Sequence, residues 1–303
     1  MLNLVAIEPR SFPEYEAAVS DAGGSLSKVS KDVRALIWTD YSQPKALAEL
    51  LDSNPQIEWV QLPFAGVDAF SAVINRDVRF TSAKGSYREP VAEHALALSL
   101  ALMRAIPERV RATSWGKSFA VSLFDASVLI YGGGGITEEL VNLLAPFRAK
   151  ITVLRKRPQH MVGVNSVLAS TKLLSELPKA DLVVVTAALT SETSRVFNRQ
   201  AFEAMKPSAY LVNIARGPLV HTGDLIDALS SGELAGAAVD VTDPEPLPEG
   251  HPLWQAKNIL ITPHTADTRE MVVRLFSDRI RENVHAFFGG EALVGQVSAE
   301  LGY

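Results

Sequence analysis

Ser127-Val128-Leu129-Ile130-Tyr131-Gly132-Gly133-Gly134-Gly135-Ile136-Thr137-Glu138 is the stretch on which the fold turns. A run of strand-forming residues enters a glycine turn, and a helical pattern over 138–144 follows. Strand, glycine turn and helix in that order make a phosphate cradle. Glycines at 132 and 134 allow a tight turn and close backbone approach, and the helix N-terminus faces the anion. A glycine run by itself is a weak sign, since most are turns; this context favours dinucleotide binding. Gly132, Gly134, Gly135 and Ile136 are therefore expected to meet the pyrophosphate. The next strand-like run, 151–154, leads into Arg155-Lys156-Arg157. An acidic residue at that place binds the 2′-hydroxyl of NAD, whereas arginine suits the 2′-phosphate of NADP. NADP(H) is the expected cofactor, with NAD(H) as a second possibility.

The same alternation extends outward in both directions. Strand-like runs at 4–7, 35–38, 59–62 and 78–81, with a helix at 44–51, precede the glycine stretch. Further strand-like runs at 182–186, 209–213, 237–240 and 259–262 follow it. A nearly all-apolar helix is expected over 90–106, entered at Pro90, interrupted by Pro107 and buried between layers. A last helix over 268–288 repeats Val273, Phe276, Ile280, Val284 and Phe287 at steps of three and four, until Gly289-Gly290 stops it. Such alternation builds parallel sheets. The expectation is an α/β protein of two doubly wound parallel-sheet domains with a cleft between them. A Rossmann cofactor domain, 93–270, is inserted into a flavodoxin-like substrate domain, 1–92 and 271–303.

Composition narrows the class. At 303 residues, 47% hydrophobic and 21% charged, the chain is long enough for two cores. Its 29 basic against 34 acidic residues argue against nucleic-acid or anionic-membrane partners. The absence of cysteine excludes disulfides, thiolate metal sites and cysteine nucleophiles. The 6 histidines lack metal-site spacing, so no metal is expected. No apolar run reaches the ~18 residues of a membrane span, and the first residues read as a strand, not a signal peptide. A cytoplasmic protein is the expectation. Gly116-Lys117-Ser118 imitates the end of a phosphate-binding loop, but Arg111 stands where its leading glycine belongs.

Polar residues recur just past the strand ends: Thr186, Arg216, Asp240 and His264. Ligands of open parallel sheets bind outside the carboxyl ends of the strands. Each residue taken singly has an ordinary explanation; their common placement points to one site.

With those positions in view the chain resembles the D-isomer-specific 2-hydroxyacid dehydrogenase family over nearly its whole length. The likeness is carried by Asn213-Ile214-Ala215-Arg216-Gly217-Pro218-Leu219-Val220, by Ala238-Val239-Asp240-Val241-Thr242-Asp243-Pro244-Glu245-Pro246, and by His251-Pro252-Leu253-Trp254 leading to Thr262-Pro263-His264. Ala65-Gly66-Val67-Asp68 and Pro90-Val91-Ala92-Glu93-His94 support it. The resemblance implies Arg216, Glu245 and His264 as the catalytic set and adds Ala215 and His264 to the cofactor residues. It also implies a homodimer and a small 2-keto or 2-hydroxy acid substrate, of the glyoxylate or hydroxypyruvate class.

The chemistry is consistent with those residue types. Keto-acid reduction needs a proton at the oxygen as hydride reaches the carbon, and imidazole titrates nearest neutrality. A carboxylate at Glu245 would orient His264 and favour its cationic form. Arg216 offers a planar fork for the substrate carboxylate, and the small residues Ala65 and Gly66 leave backbone N–H groups free for it. Three positions depart from the family pattern: Thr137 at the third glycine, Ala188 where a proline is usual, and Asp267 where a small residue is commoner. Asp267 either adds a carboxylate to the site or caps the last helix. The alternative to an enzyme is a non-catalytic dinucleotide-binding redox sensor, like the family's corepressor relatives.

Overall fold

Short runs of β-branched and aliphatic residues, each followed by a helix or a turn, become parallel strands in two sheets. The computed structural model describes residues 2–298. In chain order its elements are β1 (Leu4–Glu8), α1 (Pro13–Asp21), β2 (Ser25–Leu26), β3 (Ala35–Trp38), α2 (Pro44–Ser53), β4 (Trp59–Gln61) and β5 (Arg79–Thr81). Next come α3 (Arg88–Met103), α4 (Ile106–Arg111), β6 (Ser127–Tyr131), α5 (Gly135–Leu144), β7 (Lys150–Arg155), β8 (Ser166–Ala169) and α6 (Leu173–Glu176). The last are β9 (Leu182–Val185), α7 (Arg199–Ala204), β10 (Tyr210–Asn213), α8 (Thr222–Ser231), β11 (Gly236–Val239), β12 (Ile259–Ile261) and α9 (Arg269–Gly289).

The chain divides into two units, one holding the residues up to Tyr87 and those from Thr268 onward, the other Arg88–Asp267. Boundaries expected after residues 92 and 270 fall inside α3 and α9. Each helix belongs whole to one unit, so the divisions lie just ahead of them, at 87/88 and 267/268.

The first unit carries a parallel five-stranded sheet in the order β2-β1-β3-β4-β5, the flavodoxin-like winding. Its middle strand, Ala35-Leu36-Ile37-Trp38, is buried at every position, as a strand covered on both faces must be. α9 lies along α1, with the ring of Tyr15 meeting Phe276 edge-on at 5.3 Å. Gly290, at φ 74°, closes α9 in the left-handed conformation.

The second unit carries a parallel seven-stranded sheet in the order β12-β11-β10-β9-β6-β7-β8. The winding reverses between β6 and β9, where Tyr131 stands opposite Val185. That is the switch point at which open α/β sheets bind ligands. α3 and α5 cover one side, and α3 packs across β10 and β11.

Three expectations are corrected here. The helix expected over 90–106 ends at Met103, and left-handed Ala105 separates it from α4, in whose first turn Pro107 sits. Nor is it buried all round: Ala97 is exposed, and Leu96, Leu100 and Ala101 are half-buried. α5 starts at Gly135, three residues before the expected 138, because Gly134 already serves as its N-cap. Among the described residues no helix is long and apolar enough to cross a membrane.

Candidate functional site

At the switch point the site begins with missing side chains. Gly132 has φ 132°, and a Cβ there would stand 2.3 Å from Thr186 Oγ1 and 2.7 Å from the Ala187 nitrogen. Gly134 has nothing within 4 Å of a Cβ and caps α5 without a side-chain hydrogen bond. The opening turn of α5 thus presents backbone N–H groups and the positive end of the helix dipole to an open face. Thr137, at the third glycine position, is fully buried, and its Oγ1 lies 3.2 Å from the Gly132 carbonyl and 2.8 Å from Thr186 Oγ1. A hydroxyl bridge here ties helix to loop where a glycine would let them touch. Thr186 is turned inward to this bridge and to the Tyr131 carbonyl at 3.3 Å. The Ala188 carbonyl accepts from Thr193 Oγ1 at 2.7 Å, which closes the turn after β9.

The basic residues after β7 separate into distinct environments. Arg155 is half-buried and lies over Gly133, whose Cβ would meet the arginine Cδ at 2.8 Å and Nε at 2.9 Å. Lys156 is exposed and pairs with Glu192 at 2.8 Å, and Arg157 is exposed. A cradle free of side chains at a helix start, with a guanidinium laid along its rim, fits a dinucleotide bearing a ribose phosphate. Gly132, Gly134, Gly135 and Ile136 could hold its pyrophosphate, and Arg155 with Arg157 its 2′-phosphate.

Further along the same sheet, beyond β10, β11 and β12, lie Arg216, Glu245 and His264. Ala215 is buried, its N–H donating to Asn213 Oδ1 at 3.1 Å, and its carbonyl accepts from Arg216 Nη1 at 2.8 Å. The Asn213 side-chain amide returns a bond to the Arg216 carbonyl at 2.9 Å. Gly217 is pressed against the next loop: a Cβ there would lie 1.8 Å from the Thr242 carbonyl oxygen. His264 Nδ1 lies 2.6 Å from Glu245 Oε1, while Glu245 Oε2 accepts from the Thr242 N–H at 3.3 Å. This leaves the imidazole Nε2 as the nitrogen turned away from its orienting carboxylate. His264 itself sits at φ 53°, a left-handed conformation that costs a side-chain-bearing residue energy and recurs at functional sites.

Asp240 underlies this loop. Its carboxylate has no exposure and takes hydrogen bonds from Thr262 Oγ1 at 2.5 Å, the Thr265 N–H at 2.9 Å and the Ala266 N–H at 3.1 Å. Burial pushes this carboxyl up, yet the bonds from His94, Thr262 and Thr265 and the attraction of His94 hold it down at about 2. Asp267 shows the opposite balance. Burial pushes it up and Asp240 adds to the rise, while His264 and Arg216 pull it back. It therefore belongs to the electrostatic surroundings of the catalytic candidates, and the N-cap of α9 is Thr268.

Sequence reasoning passed over His94 and Thr262, which meet Asp240 from α3 and from the end of β12. The available sign for His94 was a lone imidazole in a helix that is mostly apolar beyond it. Ala65 and Gly66 lie in the first unit, on the loop past β4, exposed and half-exposed respectively. That loop is tied down where the Phe64 carbonyl accepts from the Ala83 N–H at 2.8 Å. Among the described residues no group of three or more His, Cys, Asp or Glu is placed to hold a metal.

Residues 95–266 match the family model described as D-isomer specific 2-hydroxyacid dehydrogenase, NAD binding domain. The chain is 39% identical over 298 residues to an uncharacterised protein of Corynebacterium melassecola, covering 96% of this chain and 97% of the other. It is 31% identical to a glyoxylate reductase/hydroxypyruvate reductase of Mus musculus, over 96% of this chain and 88% of that one. Among solved structures it resembles a D-isomer specific 2-hydroxyacid dehydrogenase of Xanthobacter autotrophicus Py2 in complex with NADPH and MES. The TM-score is 0.86 at 27% identity, over 99% of each chain.

Proposed function

The chain belongs to the D-isomer specific 2-hydroxyacid dehydrogenase family, and from that premise we propose that it reduces a small 2-keto acid to the D-2-hydroxy acid with NADPH. Glyoxylate and hydroxypyruvate are the proposed substrates, being what the mouse relative is named for. The observation that carries this reading is the 2.6 Å pair of His264 and Glu245 on the sheet that also holds the glycine cradle.

When bound, the reduced dinucleotide supplies the hydride that goes to the carbonyl carbon. His264 delivers a proton from Nε2 to the carbonyl oxygen, so that the two additions complete the alcohol. Glu245 holds Nδ1 and balances the imidazolium charge. Arg216 binds the substrate carboxylate and stabilises the charge that develops on the oxygen. The backbone N–H groups of Ala65 and Gly66 are further donors for the carboxylate. Asp240, which carries the His264 loop, and Ala215 belong to the cofactor side of the site. NADPH is preferred through Arg155 and Arg157, with NADH as the weaker partner.

The expected homodimer is supported by apolar surface concentrated on one stretch of the second unit. Trp115 is 97% exposed and Val110 79%, and Ile106, Phe119, Val121 and Phe124 stand in water beside them. An open cavity of about 410 Å³ adjoins this surface, lined in part by Leu100, Ala101, Ile106 and Phe147. Patches of this kind on a globular protein mark association sites, and sedimentation of the protein decides whether two copies cover it. A cytoplasmic location is part of the same proposal.

The test of the activity is oxidation of NADPH against a panel of 2-keto acids, followed by the nicotinamide absorbance. Turnover of glyoxylate or hydroxypyruvate is the expected result. Tight NADPH binding without turnover of any 2-keto acid would favour a dinucleotide-binding sensor.

A further inference from the structure

The loop over 262–266 carries the proposed proton donor in an unfavourable backbone conformation, and one residue holds it there. The main-chain carbonyl of Asp240 accepts from the His264 N–H at 2.8 Å, and its carboxylate takes Thr262, Thr265 and Ala266. Asp240 thus grips the loop on both sides of His264. A buried carboxylate with this task must itself be held in one orientation, because a turn about its side-chain bonds would release the loop.

His94, reaching from α3, supplies that hold. Its Nε2 lies 3.3 Å from Asp240 Oδ1 and 3.1 Å from Thr262 Oγ1. The Thr262 hydroxyl has a single hydrogen and spends it on Asp240 at 2.5 Å, so towards His94 it can only accept. The hydrogen between them therefore sits on Nε2 of the imidazole, shared by the hydroxyl oxygen and the carboxylate. A largely apolar helix that crosses β10 and β11 is joined through this side chain to the loop of the proposed proton donor. A histidine buried only for packing would leave its ring nitrogens to water or to its own helix.

We propose that His94 is a positioning residue for the reduction: its Nε2–H, shared between Thr262 and Asp240, locks the carboxylate that holds the 262–266 loop and the His264 imidazole. The proposal rests on His264 as the proton donor, and its test separates the two readings. Its first arm compares His94→Leu, which has no donor, with His94→Gln, which keeps an N–H at a similar reach. With a 2-keto acid and NADPH, His94→Leu should lower kcat about tenfold, the cost of one charge-assisted bond. KM for the keto acid should stay within about twofold. His94→Gln should recover most of the lost kcat.

The second arm needs no activity. In His94→Leu the amides of Thr265 and Ala266 should exchange with solvent about tenfold faster, and His94→Gln should restore their protection. If the parent protein turns over no 2-keto acid, the proposed function fails, and the exchange arm alone decides whether His94 holds the loop. Should neither variant fold, nitrogen-15 spectra of the parent decide it, since the proposal requires a protonated Nε2 on His94. A bare Nε2 overturns the proposal. So does His94→Leu with parental kcat and parental amide protection, or a loss in KM shared equally by the leucine and glutamine variants, which is what packing alone would give.

Discussion

Two loops at the carboxyl ends of one seven-stranded sheet are built on opposite plans. The loop between β6 and α5 consists of backbone from which side chains have been removed: Gly132 has no room for a Cβ, and Gly134 leaves open space where one would be. The loop after β12 is backbone held by side chains that converge on it, with Asp240 taking three of its donors and Glu245 the imidazole it carries. The difference matches the tasks proposed for them. A pyrophosphate is bound by many equivalent N–H groups, and the chain needs only to get out of the way. A proton is delivered by a single nitrogen, whose direction has to be fixed within a few tenths of an ångström.

Substitutions should therefore fail in different ways at the two loops. The largest effect is expected at His264, where His264→Gln should lower kcat about 100-fold or more with nearly parental cofactor affinity. An unchanged kcat would remove this residue from the mechanism and the contrast with it. At the other loop, Arg155→Asp should leave chemistry intact and change the choice of cofactor. Two charge-assisted bonds to the 2′-phosphate, discounted for screening, contribute about 3 kcal/mol, or roughly 100-fold preference for NADPH over NADH. The substitution loses an attraction and adds a repulsion, so the ratio of kcat/KM for the two cofactors should fall close to one. In the parent this ratio should also shrink with added salt. Equal use of NADH and NADPH by the parent at low salt would reduce the basic turn to a solvated surface.

Acid should sharpen the comparison further. Asp240 is buried, which opposes its charge, but the bonds from His94, Thr262 and Thr265 hold its carboxyl at about 2, below the unfolded value of roughly 3.9. Its contribution is therefore complete above about pH 5 and fades as the pH falls towards 2, amounting to roughly 2–3 kcal/mol. Urea unfolding at stepped pH should show a steeper acid loss in the parent than in Asp240→Asn; parallel losses would mean the carboxylate is not what fastens the loop. The smallest effect is expected at Asp267, raised chiefly by burial. Its charged form is disfavoured by folding, so Asp267→Asn should stabilise the protein at neutral pH by on the order of 0.5 kcal/mol. That gain should disappear in acid, where the parent carboxyl is protonated in both states. A loss of stability at neutral pH would mean that the attraction of His264 and Arg216 outweighs the burial.

Legibility in the sequence followed the same contrast. The cradle is contiguous, so strand, glycines, helix and basic turn are adjacent in the chain and could be read from it. The histidine loop is assembled from residues at 94, 240, 245 and 262–266, and no spacing rule connects them. Glu245 could be singled out chiefly through family resemblance, and His94, in Pro90-Val91-Ala92-Glu93-His94, had no visible task. Among the edge strands, β5 and β12 hold buried residues and were legible, whereas β2 and β8 escaped. The two residues of β2 and the four of β8 include no buried position, and the hydrophobic pattern that marks a strand is a record of burial. The start of α5 was set too late because glycine, a poor helix former by propensity, here opens the helix for a ligand instead of for stability.

Gly217 ties Arg216 to Glu245 in a way that neither side chain does. With Thr242 carbonyl against a bare Cα, the turn after β10 and the turn after β11 touch main chain to main chain, and no rotamer can relax between them. Whatever displaces one turn displaces the other, so the backbones that carry Arg216 and Glu245 move as one piece.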